Sequence, residues 1–306
     1  MDFAIQLSVS FLMLGCMYTL VAVGFTMYVG VINLANFSHG DTCVVGAFVL
    51  MPLFHLLADL GWVRGGGAPV VVAIIAATIA ATGAWGVVLF RIVIHPLLRS
   101  PRLIVLLATV AAGQAIRETI RVIYPEGSNP QVFPRLFTEG GLHFGAVTVR
   151  WESLIILAAT LATIGLLSLF ITRTRMGLAM RAVSQDPDVA QMMGIPLDRT
   201  VMAVFVVGSM LAGLAGVMNG AYYQITKFDI GNNLGIKGFS AAVIGGLGNI
   251  YGAIVGGLLL SLVEVFTAAL VPGGSQFQDV FSFLVVIVFL VVKPSGILGE
   301  KVYEKV

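Results

Sequence analysis

Residues 30–48 read GVINLANFSHGDTCVVGAF and form a short polar segment between two long apolar ones. On its N-terminal side, no Lys, Arg, Asp or Glu occurs between Asp2 and Asp41. An unbroken helix over residues 3–38 would be about 54 Å long at about 1.5 Å per residue, whereas the hydrocarbon layer is about 30 Å thick. We therefore expect the first helix to break at Gly30 and the polar residues that follow it.

The composition of the whole chain points to a membrane protein. Of the 306 residues, 58% are apolar and 10% are charged, whereas about 25% are charged in a soluble domain. Continuous apolar segments favour helices over barrel strands. The sequence thus predicts an all-α, polytopic bundle of about eight spans. These lie near 3–31, 42–58, 68–90, 103–116, 153–172, 200–222, 251–270 and 277–292.

Two apolar segments, 103–116 and 239–250, are short for a full crossing. Either could be a half-helix buried in protein. We expect 239–250 to cross as a short or broken helix, because that returns the C-terminus to the cytoplasm.

Basic residues cluster in three places, which fixes the expected orientation. Cytoplasmic segments of membrane proteins carry an excess of Lys and Arg. The clusters are Arg91, Arg99 and Arg102; Arg173, Arg175, Arg181 and Arg199; and Lys293, Lys301 and Lys305. We interpret 1–306 as one transmembrane domain with a cytoplasmic loop at 173–199 and an external loop at 117–152. The alternation over Leu142–Arg150 predicts an external hairpin.

Most catalytic signatures are missing from the sequence. There is no P-loop and no G-x-S-x-G motif, and the four histidines lie on separate segments. Acidic residues within apolar segments are few: Asp41, Glu264 and Asp279. An ion-driven carrier usually places more ionisable groups along its path. We expect a transport conduit powered by another subunit. A self-sufficient carrier or channel is the alternative, and an intramembrane enzyme is disfavoured.

The cytoplasmic loop contains signals for a short helix. Asp186 is a good N-cap, Pro187 suits the first helical position, and Asp188 adds negative charge to the first turn. Gly194 suits the residue after the helix. The sequence predicts a helix over 187–193 with an apolar patch that packs on the protein's own helix ends or contacts a partner. The patch consists of Val189, Ala190, Met192 and Met193.

The polar run that opens the chain's second span is a candidate pathway. Polar groups at membrane depth face protein or water. The candidates are Asn33, Asn36, Ser38, His39 and Asp41. They line the pathway, or they cap a broken helix or lie at the membrane surface. Asp41 could pair with His39, and we expect Glu264 at the membrane surface or at a partner subunit.

Glycine recurs every four residues in two places, which predicts close helix packing. One row is Gly248, Gly252 and Gly256, and the other includes Gly216 and Gly220. A moving seam or a subunit contact is the alternative interpretation.

Four separated stretches resemble one transporter family. They are GVINLANFSHGDTCVVGAF, GLAMRAVSQDPDVAQMMGI (177–195), AAVIGGLGNIYGAIVGGLLLSLVE (241–264) and KPSGILGE (293–300). Together they resemble permeases of branched-chain amino-acid ABC importers, of the LivH and LivM type and closer to LivH.

The resemblance implies the partners and the location. The expected partners are a second permease, two ATP-binding subunits that hold ATP and Mg²⁺, and an external solute-binding protein. The expected location of this chain is the cell inner membrane. No cofactor is expected in this chain. The helix from Asp186 to Gly194 would dock on an ATP-binding subunit, with Arg181 and the patch Ala190–Met193 as contacts.

One departure from the family pattern concerns the solute. The family usually has His where this chain has Asn36, and here FSHG shifts that residue to His39. Branched-chain or related small amino acids are the expected solutes. Urea, short amides and other small organic acids are the alternatives.

Overall fold

The computed structural model describes residues 2–98, 100–137, 140–144 and 147–299, and it is a helical bundle. Within these ranges we number eleven α-helices in chain order. They are α1 (Asp2–Ile32), α2 (His39–Asp59), α3 (Trp62–Leu89), α4 (Arg102–Ile123), α5 (Trp151–Arg173), α6 (Arg175–Gln185), α7 (Pro187–Met192), α8 (Leu197–Tyr223), α9 (Ile230–Gly245), α10 (Ile250–Leu270) and α11 (Gly274–Val292). A π-helical turn and a 3-10 turn, Phe90–Ile94 and His95–Leu97, continue α3.

Eight of the described helices are long and apolar enough to cross a membrane, which confirms the predicted polytopic bundle. The helices are α1, α2, α3 with its continuation, α4, α5, α8, α10 and α11. α9 is shorter, at 16 residues or about 24 Å. It starts nine residues before the predicted segment 239–250 and ends at Gly245, so residues 246–249 form a turn.

The segment at 103–116 is not a half-helix. α4 has 22 residues and spans about 33 Å. Its last turns contain Arg117, Glu118 and Arg121, which the sequence places in the predicted external loop. The helix continues through them because their charges are paired: Arg117 contacts Asp41, and Arg121 contacts Glu118. The external connection therefore begins at residue 124 rather than 117.

The core of the bundle is formed around α1 and α8. α1 lies along α10, and α8 packs between α2 and α3. Large side chains that are fully buried in this core include Phe25, Tyr28 and Phe205. In contrast, α5 and α11 keep most of their surface outside the chain's own core. Those apolar outer faces suit lipid or another membrane subunit.

The described basic segments lie at one end of the bundle. His95, after α3, lies 3.8 Å from Asp198 at the start of α8. The segment after α11 is hydrogen-bonded to the end of α9, with Ile297 N–H donating to the Ile244 carbonyl at 2.9 Å. α6 packs on both α1 and α8 at this end. Arg99, Lys301 and Lys305 lie outside the described residues.

The opposite end carries the four short strands. β1 (Gln131–Val132) pairs with β4 (Ile225–Thr226), and β2 (Gly141–Phe144) pairs with β3 (Val147–Arg150). The second pair is the hairpin predicted over 142–150. Both pairs are antiparallel, and the β1–β4 pair joins the connection after α4 to the segment that follows α8.

Glycines allow backbone-to-backbone contact between α9 and α10. A Cβ at Gly252 would meet the Gly245 backbone, and one at Gly256 would meet the Ala241 backbone. Gly248 does not share their helix face, because it lies in the turn before α10 with φ of 93°. The predicted row of three is therefore a pair.

The second glycine row packs on other parts of the same chain. Gly216 of α8 faces the backbone of Cys43 in α2, and Gly220 faces the ring of Phe133. These contacts are internal, so close packing accounts for the row without a subunit contact.

Candidate functional site

The break between α1 and α2 lies within the bundle. α1 continues to Ile32, residues 33–38 turn back, and α2 begins with His39 against Gly24. Gly24 precedes the end of α1 by eight residues, or about 12 Å. α2 thus starts well inside the span of α1. The predicted break is confirmed, at residues 33–38 rather than at Gly30.

Two of the predicted polar residues stabilise this turn. The Asn36 side-chain oxygen accepts hydrogen bonds from the Ser38 N–H at 3.2 Å and from the Ser38 hydroxyl at 2.7 Å. Both residues are buried. Asn33 has φ of 51° and is exposed at the start of the turn. The geometry matches a broken helix in which the Asn36 side-chain oxygen satisfies donors of the turn locally.

His39 and Asp41 do not form the predicted pair. Residues two apart on a helix point in different directions. The His39 ring is fully buried between Phe25 and Tyr28, with ring centroids 5.0 and 5.4 Å away. Asp41 instead places Oδ1 2.8 Å from Nε of Arg117 on α4. The sequence does not reveal the pairing of Arg117 with Asp41, because Arg117 falls in the predicted external loop.

A second charged network joins α9, α10 and α11. Nζ of Lys237 lies 2.8 Å from Oε1 of Glu264 and 2.8 Å from Oδ1 of Asp279. The hydroxyls of Tyr18 and Ser282 donate to Glu264 at 2.6 and 3.3 Å.

Glu264 is 1% exposed and lies inside the bundle, which fits neither the predicted position at the membrane surface nor the alternative contact with a partner subunit. The glutamate is buried because it pairs with Lys237 and accepts hydrogen bonds from Tyr18 and Ser282. A lysine inside an otherwise uncharged stretch was the signal that could have revealed this pair.

The cytoplasmic loop folds as its capping residues predict. Oδ1 of Asp186 accepts from the N–H groups of Asp188 and Val189 at 2.9 and 3.0 Å. Pro187 is the first residue of α7, and Gly194 ends the turn with φ of 84°. The predicted helix at 187–193 is confirmed, with Met193 as its C-cap.

The apolar patch of this loop is largely uncovered. Met192 is 86% exposed, Met193 78% and Val189 53%. Ala190 is buried at 4%, so it packs inward, and its predicted role as a surface contact is wrong. The other predicted docking residues, Arg181, Asp186, Pro187 and Asp188, are exposed around the patch. We call Val189, Met192 and Met193 the loop knob.

Comparison with known proteins gives similarity to one transport family along nearly the whole chain. Residues 7–292 match the family described as "Branched-chain amino acid transport system / permease component". The high-affinity branched-chain amino acid transport system permease protein BraD of Pseudomonas aeruginosa is 34% identical over 305 residues, 99% of this chain and 98% of BraD.

Two further relatives show where similarity is complete and where it is partial. The permease protein LivH of Escherichia coli K12, from a high-affinity branched-chain amino acid transport system, is 35% identical over 302 residues, 96% of this chain and 94% of LivH. The nucleoside ABC transporter permease protein NupB of Lactococcus lactis is 27% identical over 128 residues, 41% of this chain and 35% of NupB.

Proposed function

This chain belongs to the family of branched-chain amino acid transport system permease components, and from that premise we propose that it forms the membrane pathway of an ATP-binding cassette importer. It is a transport protein rather than an enzyme. The proposed solutes are branched-chain or related small amino acids, which the names of BraD and LivH support. The proposed location is the cell inner membrane.

The loop knob is the observation that carries the proposal. Three apolar side chains on a short capped helix are exposed beyond the ends of the spans. Exposed apolar side chains that cluster on a soluble loop mark a protein contact. The proposed occupant is an ATP-binding subunit, and charged Arg181, Asp186 and Asp188 at the rim would set its orientation.

The proposed source of energy is ATP hydrolysis by the partner subunits. The sequence has no P-loop, so ATP and Mg²⁺ are assigned to the partner subunits. The full assembly would contain a second permease, two ATP-binding subunits and an external solute-binding protein.

Movement of the loop knob has a direct route into the membrane. α7 packs on α6, and α6 packs on α1 and α8. α1 in turn ends at the break where α2 begins. A displacement of α6 would therefore shift α1 against the turn at residues 33–38. In that turn Asn33 is the candidate that is open to a pathway, whereas Asn36, Ser38, His39 and Asp41 hold the break together.

The experiment compares one double substitution with one single-substitution control in the purified whole complex. Met192→Ser with Met193→Ser removes the apolar contact, and we expect ATP hydrolysis stimulated by the loaded binding protein to fall at least ten-fold. Val132→Ser is the control, because Val132 is 81% exposed at the opposite end. Uptake by this chain alone in liposomes under an ion gradient would contradict the proposal and support a secondary carrier.

A further inference from the structure

A cleft of about 450 Å³ opens at the end of the bundle that carries the strands. It lies between the first half of α1, the end of α8, and helices α9, α10 and α11. Its volume falls within the range of about 300–1,000 Å³ that is typical of small-molecule sites. Under the orientation argued from the basic segments, this end faces outside.

The floor of the cleft is the charged network around Glu264. Glu264 and Lys237 both line the cleft, and their residues are 1% and 6% exposed. Lys237 is shared between two carboxylates, those of Glu264 and Asp279. The network therefore has one cation for two anions. Because the Lys237 ammonium is shared with Asp279, the Glu264 carboxylate is only partly neutralised, and a second cationic group beside it would complete the charge balance.

The walls of the cleft divide into polar and apolar parts. Tyr222, Tyr223 and Gln278 supply hydroxyl and amide donors. Leu7, Leu14, Val265 and Ala268 supply an apolar surface. A ligand that suits both parts has a cationic group, an acceptor group and a small apolar side chain.

We infer that this cleft is an entry subsite in which a zwitterionic amino acid places its ammonium group against Glu264. The inference rests on the proposed function for its solute class. The carboxylate of the solute accepts from the tyrosine hydroxyls and the Gln278 amide, and its aliphatic side chain lies on the leucine and alanine wall. The site receives solute from the external binding protein before the membrane pathway opens.

Cysteine protection in the assembled complex tests this assignment. Ala269→Cys places a thiol in the cleft without removing a proposed donor to the solute, and Gln276→Cys places one on α11 outside the cleft. The native Cys16 and Cys43 are buried, so their background reaction is slow. We expect saturating leucine to slow maleimide labelling of Ala269→Cys at least five-fold and to leave that of Gln276→Cys unchanged.

A volume-filling substitution gives a second readout. Ala268→Trp occupies the cleft without altering a charged residue, and we expect leucine uptake to fall at least ten-fold. Leu262→Trp on the same helix, outside the cleft, is the control.

Leucine uptake by the unmodified complex distinguishes failure of the subsite from failure of the proposed function. If that complex transports leucine but leucine protects neither cysteine, the subsite is wrong and the proposed function stands. If the unmodified complex transports neither a branched-chain nor a related small amino acid, both are overturned. Equal protection at both cysteines would indicate a global change and would also contradict the subsite.

Discussion

At the scale of single residues, the buried Asp41–Arg117 ion pair joins two membrane spans, and loss of either partner should destabilise the protein. Asp41→Ala leaves the Arg117 guanidinium unpaired inside a membrane span, where its side chain is 18% exposed. Breaking a buried ion pair by removing one partner costs about 3–5 kcal/mol. We expect lower yields of assembled protein, a lower unfolding temperature in detergent, and loss of uptake.

Two variants show whether the unpaired charge is the cause. Adding Arg117→Gln to Asp41→Asn removes both charges, so most of the stability should return. Glu118→Gln breaks the pair with Arg121, whose two side chains are 42% and 45% exposed, and should cost at most about 1 kcal/mol. Native stability and native uptake in Asp41→Ala would remove this residue from the proposed machinery.

Residue patterns predicted the local part of these sites and missed the distant partners. The polar run at 33–41 and its break were visible because a helix has a fixed rise and a membrane a fixed thickness. Arg117 and Lys237 were missed because each pairs with a residue on another helix. Which helix faces meet depends on the packing of the whole chain. Patterns of neighbouring residues in one sequence do not show that packing.

At the scale of elements, the contact between α9 and α10 depends on glycine. In Gly256→Ala the new methyl group meets the Ala241 carbonyl, and the helices must separate. Overpacking of this kind costs about 1–3 kcal/mol. We expect a lower unfolding temperature in detergent, measured beside Gly165→Ala.

Gly165 is the matched control because no heavy atom lies within 4 Å of a Cβ built there. Its replacement by alanine should leave stability unchanged or raise it by up to about 1 kcal/mol, since alanine favours a helix more than glycine does. Equal effects at the two positions would mean that close packing of α9 on α10 is not the cause.

The short helix α7 depends on its N-cap. Asp186→Ala removes the acceptor for two backbone N–H groups and should weaken the helix by about 0.5–2 kcal/mol. We expect ATP hydrolysis stimulated by the binding protein to fall in the assembled complex. Asp186→Ser keeps an N-cap acceptor and should retain most of the stimulation, whereas a loss equal to that of alanine would indicate a direct contact through the carboxylate.

Capping explains why α7 was predicted to within a residue while the end of α4 was not. Asp186, Pro187 and Gly194 act on backbone groups within a few positions of themselves. The last turns of α4 carry charges that resemble a loop until Arg117 meets Asp41. Local signals set helix ends only where no distant partner changes the balance.

At the scale of the whole molecule, the two ends of the bundle have different chemistry. One end carries the basic segments and the loop knob, and the other carries the strands and the cleft. This polarity was predictable because Lys and Arg are retained in the cytoplasm. The route through the membrane that joins the two ends was not predictable, since it depends on where α2 begins inside the bundle.

The orientation gives a prediction that single cysteines can test in intact cells. Met192→Cys lies on the loop knob, and Val132→Cys lies on strand β1 at the other end. Both side chains are largely exposed, while Cys16 and Cys43 are buried. We expect a membrane-impermeant maleimide, given access to the outer face of the inner membrane, to label Val132→Cys at once. Met192→Cys should react only after the membrane is opened. The reverse pattern would place the knob outside, where no ATP-binding subunit could reach it, and would overturn the coupling mechanism together with the orientation.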